Sequence, residues 1–161
     1  MSDRRELMVR PIGRVSHGRP RGPAGEQWAG MPSQIEIDPP WDEALEGIGE
    51  FSHIWVMWWI DGFDEPPTSP RVRPEGRDEM PLVGLFATRS PHRPNPIGLT
   101  AVRLLGHNGA RLRVEGLDAY QDTPVLDIKP YLWRGDRIPE AEMPEWLEDL
   151  WQRHDEERAS K

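Results

Sequence analysis

Three prolines in the segment 88–99 restrict what this part of the chain can fold into. Pro91, Pro94 and Pro96 each fix φ and lack a backbone N–H, which excludes a helix and the middle of a sheet. The sequence therefore predicts a stiff, extended loop. This loop also carries two guanidinium groups that fit carboxylates or phosphates, an imidazole and an amide, from Arg89, His92, Arg93 and Asn95. A rigid frame with these side chains indicates a ligand-binding loop.

Short runs rich in β-branched and aromatic residues recur through the first 120 residues, separated by Gly, Pro and Asp. An Asn-Gly pair at 108–109 is a strong signal for a β-hairpin between two of these runs. The fold class predicted is mainly all-β, a small antiparallel β-barrel with a C-terminal helix. The predicted strands are 7–15, 34–37, 54–60, 83–88, 99–105 and 111–117.

The run 54–60 is apolar on both faces, which is typical of a strand in the middle of a sheet. Trp58 and Trp59 point to opposite faces of such a strand. One of the two indoles then needs cover from outside its own barrel. This predicts that the protein forms a homodimer.

Helical signals are few. A short helix is predicted over 42–48 and a longer one over 144–158, with Pro144 in its first turn. Four apolar residues form a stripe along the second helix: Trp146, Leu147, Leu150 and Trp151. A chain of 161 residues fits one domain, with a barrel core over about 9–139.

Several functional classes are excluded by what the sequence lacks. There is no cysteine, which removes thiolate nucleophiles and cysteine-based zinc sites, and the five histidines are too scattered for a local metal site. Gly47 and Gly49 lack the third glycine and the preceding strand of a dinucleotide-binding turn. No apolar run reaches the roughly 20 residues of a membrane span, and the N-terminus shows no export signal. We expect a cytoplasmic protein without a metal or a membrane partner.

Charge is unevenly distributed along the chain. The net charge is −8, and residues 31–70 hold nine acidic residues and no lysine or arginine. In contrast, residues 1–30 hold six arginines against three acids, and residues 71–137 hold eleven basic residues against eight acidic ones. Two interpretations stay open: a local basic face for nucleic acid, or a mixed solvated surface.

Four stretches of the chain, 11–13, 51–55, 86–99 and 123–131, resemble the TsaA/TrmO-like family, also called YaeB-like or VirR-like. Its members are S-adenosylmethionine-dependent tRNA adenine-N6 methyltransferases. The resemblance extends over about 9–139 and implies a small β-barrel that dimerises. It also implies S-adenosylmethionine as cofactor and N6 of threonylcarbamoyl-adenosine, in the anticodon loop of tRNA, as the methyl acceptor.

The resemblance implies a set of cofactor-binding positions, to which the polar residues of the proline-rich loop are added: Arg89, His92, Arg93, Asn95, Leu99, Asp61, Gly62, Gln121, Asp122, Thr123 and Pro124. The acceptor nitrogen is urea-like and must lose a proton, so a general base would help. Asp127 and Asp122 are the candidate bases, and Lys129 and Tyr131 are candidate donors that orient the substrate. Phosphates of the tRNA are assigned to Arg21, Arg71 and Arg73.

Other interpretations of these residues stay open. Arg89 or Arg93 can instead form a buried ion pair, Asp127 can pair with Lys129, and Tyr131 can be a packing residue. Residues 21–25 read Arg-Gly-Pro-Ala-Gly where the family usually has Arg-Gln-Pro-Gly-Leu, and residues 61–62 are Asp-Gly rather than His-Gln. From residue 140 onward, eight acids stand against three bases, where many family members have a further domain. The alternative functions are methylation of another nucleoside or small metabolite, and a non-catalytic cofactor-binding module.

Overall fold

The structure is a computed structural model that describes residues 6–21 and 28–159. Six strands close into an antiparallel barrel in the order β1-β2-β7-β6-β3-β8, as the sequence predicts. They are β1 (Gly13–His17), β2 (Pro32–Ile37), β3 (His53–Trp59), β6 (Ile97–Asn108), β7 (Arg111–Glu115) and β8 (Pro124–Pro130). Two short strands, β4 (Arg71–Val72) and β5 (Val83–Gly84), form a separate antiparallel pair.

The described residues divide into two compact units. The barrel unit comprises residues 6–65, apart from 22–27, together with 95–131, and the second unit comprises 66–94 and 132–159. The prediction of a single domain covers both units and stays a prediction. The family-pattern departure at residues 22–25 and the N-terminal residues 1–5 lie outside the described residues.

Strand β3 lies between β6 and β8, which confirms its predicted central position. Its alternate residues Ile54, Val56 and Trp58 are buried in the barrel. Leu112 and Val114 of β7 join them through the same period of two. Apolar side chains of the barrel strands therefore fill the interior. This packed core positions the loops at the barrel ends.

Trp58 finds its cover inside its own barrel. Its indole lies against Gly98 on β6, where any side chain would collide with the ring, and its Nε1 donates to Thr100 Oγ1 at 3.3 Å. Trp59 lies on the opposite face and is half-buried. Gly98 is thus required by close approach and not by its backbone angles.

The predicted hairpin at 108–109 is confirmed, because β6 and β7 pair antiparallel across it. Gly109 has a φ of 55°, a left-handed conformation that glycine adopts without strain. The helix 145–159, named α2 (Glu145–Ala159), is also confirmed. Pro144 accepts a hydrogen bond from Leu147 N at 2.9 Å and lies one residue before the helix, where the sequence predicted it in the first turn.

Other element predictions were wrong in part. The strand predicted over 7–15 is limited to β1, and Leu7, Met8 and Val9 are exposed. The strand predicted over 83–88 ends after β5 and continues as a 3₁₀ helix, Leu85–Ala87. The helix predicted over 42–48 is instead two 3₁₀ helices, Trp41–Leu45 and Ile48–Glu50, because Gly47 between them has a φ of 82°.

Strand β8 was absent from the predicted strands, although its residues form one of the family motifs. It starts at Pro124 and ends at Pro130, and polar residues interrupt its apolar pattern. Prolines at strand ends are tolerated because those positions need not donate to a neighbour. A further short helix, α1 (Trp133–Asp136), was also missed.

In the second unit, helix α2 is connected to residues 75–79 by two ion pairs and a histidine–carboxylate contact. His154 Nε2 lies 2.9 Å from Glu75, Arg77 lies 3.5 Å from Glu157, and Arg153 lies 3.5 Å from Glu79. Leu150 is the buried member of the helix's apolar stripe. None of the helices within the described residues has the length and apolar character needed to cross a membrane.

Candidate functional site

The proline-rich loop is folded around Arg93. Its Nη1 donates to the carbonyls of Thr88 and Ser90, at 2.9 and 3.1 Å, and its guanidinium lies 5.9 Å from the Phe86 ring centroid. Thr88 Oγ1 adds a bond to Leu85 O at 2.8 Å. Arg93 therefore has a structural role in the loop, with backbone carbonyls as partners in place of the buried ion pair that the sequence left open.

Arg89 differs from Arg93. Its side chain is exposed, and the described residues provide no ion pair or hydrogen bond for its guanidinium. It lines a cavity of about 870 Å³ within the second unit, together with Phe86, Trp146 and Trp151. An arginine beside an aromatic-lined cavity of this size is suited to a ligand that has both an anionic group and a flat apolar ring.

The loop ends at a tight turn in the barrel unit. Ile97 N donates to Asn95 O at 2.8 Å, and Ile60 N donates to Pro96 O at 2.7 Å. Asn95 therefore closes the loop through its backbone, while its side chain is exposed. His92 is half-buried on the second unit's part of the loop.

Two predicted binding residues of the barrel unit, Arg21 and Asp61, lie together as an ion pair between Arg21 Nη2 and Asp61 Oδ2. Arg21 Cζ also lies 6.0 Å from the Tyr120 ring centroid. Gly62, next to Asp61, has a φ of 87°. A residue predicted to bind phosphate and one predicted to bind cofactor thus occupy one place, on loops that follow β1 and β3.

The turn that carries Gln121, Asp122 and Thr123 is held by backbone hydrogen bonds. Gln121 N donates to Arg19 O, and Asp122 N donates to Val15 O, both at 2.8 Å. Asp122 has a φ of 68°, a left-handed conformation that is uncommon outside glycine. Thr123 is buried and Pro124 begins β8, so the turn offers backbone groups in a fixed arrangement at this end of the barrel.

Leu99 and Asp127 lie in one row on the outer face of the barrel, because both pair in register with Met57 of β3. Asp127 Oδ2 lies 2.7 Å from Lys129 Nζ, and Asp127 Oδ1 accepts from Ile128 N at 2.9 Å. The alternative pairing of Asp127 with Lys129 is therefore confirmed. These two contacts, one to each carboxylate oxygen, fix the orientation of the Asp127 side chain. The carboxylate stays partly exposed.

Tyr131, the other candidate donor, packs against aromatic neighbours at the end of β8. Its ring centroid lies 5.5 Å from that of Trp55 and 6.4 Å from that of His53. Tyr131 N donates to His53 O at 3.1 Å. This packing fixes the phenol on the same outer face as Lys129.

The predicted phosphate contacts Arg71 and Arg73 hold the second unit's own backbone. Arg71 Nη2 donates to Leu82 O at 3.4 Å, and Arg73 Nη1 donates to Met80 O. Both bonds connect β4 to the segment that leads into β5. Their role toward a phosphate stays a prediction.

Sequence reasoning missed Arg19, which is buried and lies over the Tyr120 ring at 4.8 Å. Its ion-pair partner is Asp118, at 4.0 Å. Burial raises the pKa of Asp118 above its usual value, and the charge of Arg19 opposes that shift only in part. The described residues contain no group of three His, Asp or Glu that would hold a metal ion.

A closed six-stranded antiparallel barrel defines a small all-β class of proteins. Residues 13–137 match the family model described as the tRNA-methyltransferase O N-terminal domain. The chain belongs to this family.

Named relatives and solved structures resemble the chain over most of its length. A protein of Methanothermobacter thermautotrophicus named "Probable S-adenosyl-L-methionine-binding protein" is 42% identical over 134 residues, which cover 81% of this chain and 93% of that protein. The rat tRNA (adenine(37)-N6)-methyltransferase is 33% identical over 92% of this chain, but only 35% of its own length is matched. A crystal structure of TrmO from Pseudomonas aeruginosa superposes with a TM-score of 0.69 and 33% identity, covering 90% of this chain and 63% of that one.

Proposed function

We propose that this protein is an S-adenosylmethionine-dependent methyltransferase that methylates N6 of a modified adenosine in the tRNA anticodon loop. The observation that carries the proposal is the motif loop. Arg93 holds it folded through two backbone carbonyls, and Arg89 extends from it without a protein partner among the described residues. Family membership supplies the class of reaction.

The proposed cofactor role of Arg89 follows from its surroundings. The guanidinium has donors for the methionine carboxylate or a ribose hydroxyl of S-adenosylmethionine, and Phe86, 81% exposed, lies at the same cavity. From the barrel unit, we assign cofactor contacts to the backbone of the turn 121–124 and to Leu99. Polar backbone groups in fixed positions can recognise the edge of an adenine ring.

When bound, S-adenosylmethionine would supply a methyl group on a sulfonium, whose carbon the acceptor nitrogen would attack in line while the C–S bond breaks and S-adenosylhomocysteine leaves. The acceptor N6 forms the new N–C bond and must release its proton. We propose Asp127 as the group that takes this proton, because Ile128 N and Lys129 orient its carboxylate. Asp122 is the second candidate, on a turn held by Val15. Lys129 and Tyr131 would orient the acceptor, so the protein contributes alignment more than covalent chemistry.

The proposed substrate is threonylcarbamoyl-adenosine of tRNA, with phosphates bound by Arg21, Arg71 and Arg73. Arg71 is exposed beside its bond to Leu82 O, so it retains donors for a phosphate. A small-molecule acceptor is the second candidate function. It is favoured by the ion pair between Arg21 and Asp61, which offsets one of the positive charges that RNA binding would use.

We also propose that the protein acts as a cytoplasmic homodimer. Apolar residues of β3 and β6 pair in register along the outer face of the barrel: Trp59 with Ile97, Met57 with Leu99 and Trp55 with Ala101. Leu99 is 51% exposed within this row. Contiguous apolar residues of this kind mark interaction surfaces, and light scattering at micromolar concentration would detect the dimer.

The function is tested by incubating the purified protein with radiolabelled S-adenosylmethionine and tRNA from a strain that lacks the gene. Mass analysis of the tRNA nucleosides identifies the methylated base. Methylated threonylcarbamoyl-adenosine is the expected product. Label in small metabolites but not in tRNA would instead support the second candidate.

The contribution of the two arginines is tested by the double charge reversal Arg71→Glu and Arg73→Glu. We expect strongly reduced tRNA methylation and a flatter dependence on salt, by about 0.7 in the log–log slope for each lost phosphate contact. Binding of S-adenosylmethionine should be retained. Because both residues also bond to backbone carbonyls, thermal unfolding of the variant must match wild type before the result is read.

A further inference from the structure

Arg19 is a buried arginine with an incompletely paired guanidinium. Only 8% of the residue is exposed, and its Nε has no hydrogen-bond partner in the described structure. Its ion-pair partner Asp118 places Oδ1 4.0 Å from Nη1, which is beyond hydrogen-bond distance. Burying a charged donor without an acceptor is unfavourable. A ligand that accepts hydrogen bonds there would remove this cost.

The position of Arg19 is fixed before any ligand binds. The backbone of residue 19 forms an isolated parallel β-bridge with residue 120. Arg19 O also accepts a hydrogen bond from Gln121 N at 2.8 Å. The side chain lies over the Tyr120 ring, with Cζ 4.8 Å from the ring centroid. Arg21 lies beside the same ring at 6.0 Å. Two guanidinium groups are therefore held around one aromatic ring.

The acids near these arginines compensate them poorly. Asp118 is a distant counter-ion for Arg19, because its Oδ1 lies 4.0 Å from Nη1 and no hydrogen bond joins the pair. Asp61 pairs with Arg21 and not with Arg19. The buried guanidinium thus keeps at least one free donor, its Nε.

We propose that Arg19 is an oxyanion-binding residue, which accepts a carboxylate or a phosphate through its Nε and an Nη group, with Arg21 as the second cation. A planar guanidinium edge matches both groups in a bidentate arrangement. This rests on the proposed function, which offers two sources of the oxyanion: the methionine carboxylate of the cofactor and a phosphate of the RNA.

The test uses Arg19→Lys, which keeps the charge but removes the Nε donor and the planar fork. Arg14→Lys is the matched control, because Arg14 forms an exposed ion pair in which its Nη2 lies 3.1 Å from Glu36 Oε2. Calorimetry measures binding of S-adenosylhomocysteine, of 5′-methylthioadenosine, which lacks the carboxylate, and of a short anticodon stem-loop RNA. Thermal unfolding of each variant is measured first.

The three probes distinguish the two sources. If Arg19 binds the carboxylate, Arg19→Lys weakens S-adenosylhomocysteine about tenfold and leaves 5′-methylthioadenosine unchanged. If Arg19 binds a phosphate, the RNA affinity falls about tenfold, with a salt slope lower by about 0.7. Unchanged affinity for all three probes in a folded variant would overturn the proposal.

Two further measurements separate this inference from the proposed function. Should wild type bind neither cofactor nor RNA, the proposed function fails, and pyrophosphate is then compared with chloride at equal ionic strength by thermal shift. Stabilisation of wild type but not of Arg19→Lys supports an oxyanion site, and no difference overturns it. If Arg19→Lys does not fold, Asp118→Asn leaves the guanidinium in place and removes a competing carboxylate. Weaker oxyanion binding by Asp118→Asn would contradict the proposal.

Discussion

The barrel unit and the second unit hold their functional loops in different ways. In the barrel, an apolar interior built on Val15, Ile35 and Leu112 supports turns that are fixed by backbone hydrogen bonds. In the second unit, arginine side chains bond to backbone carbonyls, and ion pairs join α2 to residues 75–79. Loop geometry in the barrel therefore depends on hydrophobic burial and backbone hydrogen bonds, and in the second unit individual polar side chains add to backbone bonds of the same kind.

This difference separates structural arginines from arginines available to ligands. Arg93 and Arg73 bond to carbonyls and thereby shape the second unit. Arg89 in the second unit and Arg19 in the barrel retain unpaired donors among the described residues. The residue type is the same in all four cases, so burial and partners decide the role.

The largest effect is expected from truncating the barrel core. Leu112 is fully buried, so Leu112→Ala should lower the free energy of unfolding by about 2–5 kcal/mol through lost burial and a cavity. Leu105→Ala on β6, where the side chain is 37% exposed, is the control with a much smaller loss. Chemical denaturation followed by tryptophan fluorescence measures both. Equal losses would mean that the barrel interior does not dominate stability.

Much of the barrel was predictable, because apolar runs and period-two patterns in the sequence indicate strands. β7 alternates polar and apolar residues, β3 is a continuous apolar run whose alternate residues are buried and half-buried, and Gly109 lies in the hairpin. β8 escaped because prolines end it and Asp127 and Lys129 interrupt its pattern. Its strand state depends on neighbours β3 and β1, which are distant in sequence.

The candidate site was predictable by residue type but not by role. The proline-rich loop indicated a rigid loop with ligand-binding side chains, yet nothing local distinguishes Arg89 from Arg93. Their difference arises because Arg93 curls back to Thr88 and Ser90. Arg19 was missed because what distinguishes it is that its side chain is buried. That burial depends on tertiary contacts with Tyr120 and Asp118.

The next largest effect concerns the cofactor. Arg89→Ala should weaken binding of S-adenosylmethionine by about 1.5–3 kcal/mol, the usual value of a charge-assisted hydrogen bond. Stability should change little, because Arg89 is exposed and its guanidinium has no partner among the described residues. Arg134→Ala, an exposed arginine of the same unit, is the control, and calorimetry gives the affinities. Wild-type affinity in a folded Arg89→Ala variant would remove Arg89 from the site.

Arg93 should respond in the opposite way to Arg89. Arg93→Met removes the two hydrogen bonds to the carbonyls of Thr88 and Ser90. We expect the local stability of the loop to fall by about 1–3 kcal/mol. Hydrogen exchange should become faster at the amides of residues 86–90, 92 and 93 and stay unchanged in β3 and β7. Weaker cofactor binding without faster exchange would show that Arg93 contacts the ligand directly, and the contrast with Arg89 would fail.

The smallest effect tests the barrel's imperfect ion pair. Burial raises the pKa of Asp118 in the folded protein, while Arg19 opposes the shift, so the folded state holds this proton more tightly than the unfolded state. Stability from this group is then greatest below the unfolded pKa of about 3.9 and falls as pH rises through the raised value. The asparagine in Asp118→Asn does not titrate. The free energy of unfolding of this variant should therefore rise relative to that of wild type as pH increases. Because the side chain is 47% exposed, the gain at pH 7 should stay below about 1 kcal/mol. Denaturation of both proteins across pH 3–7 measures it. A variant that instead loses stability relative to wild type as pH rises would identify Asp118 as a stabilising partner of Arg19, and the barrel would then use ion pairs as the second unit does.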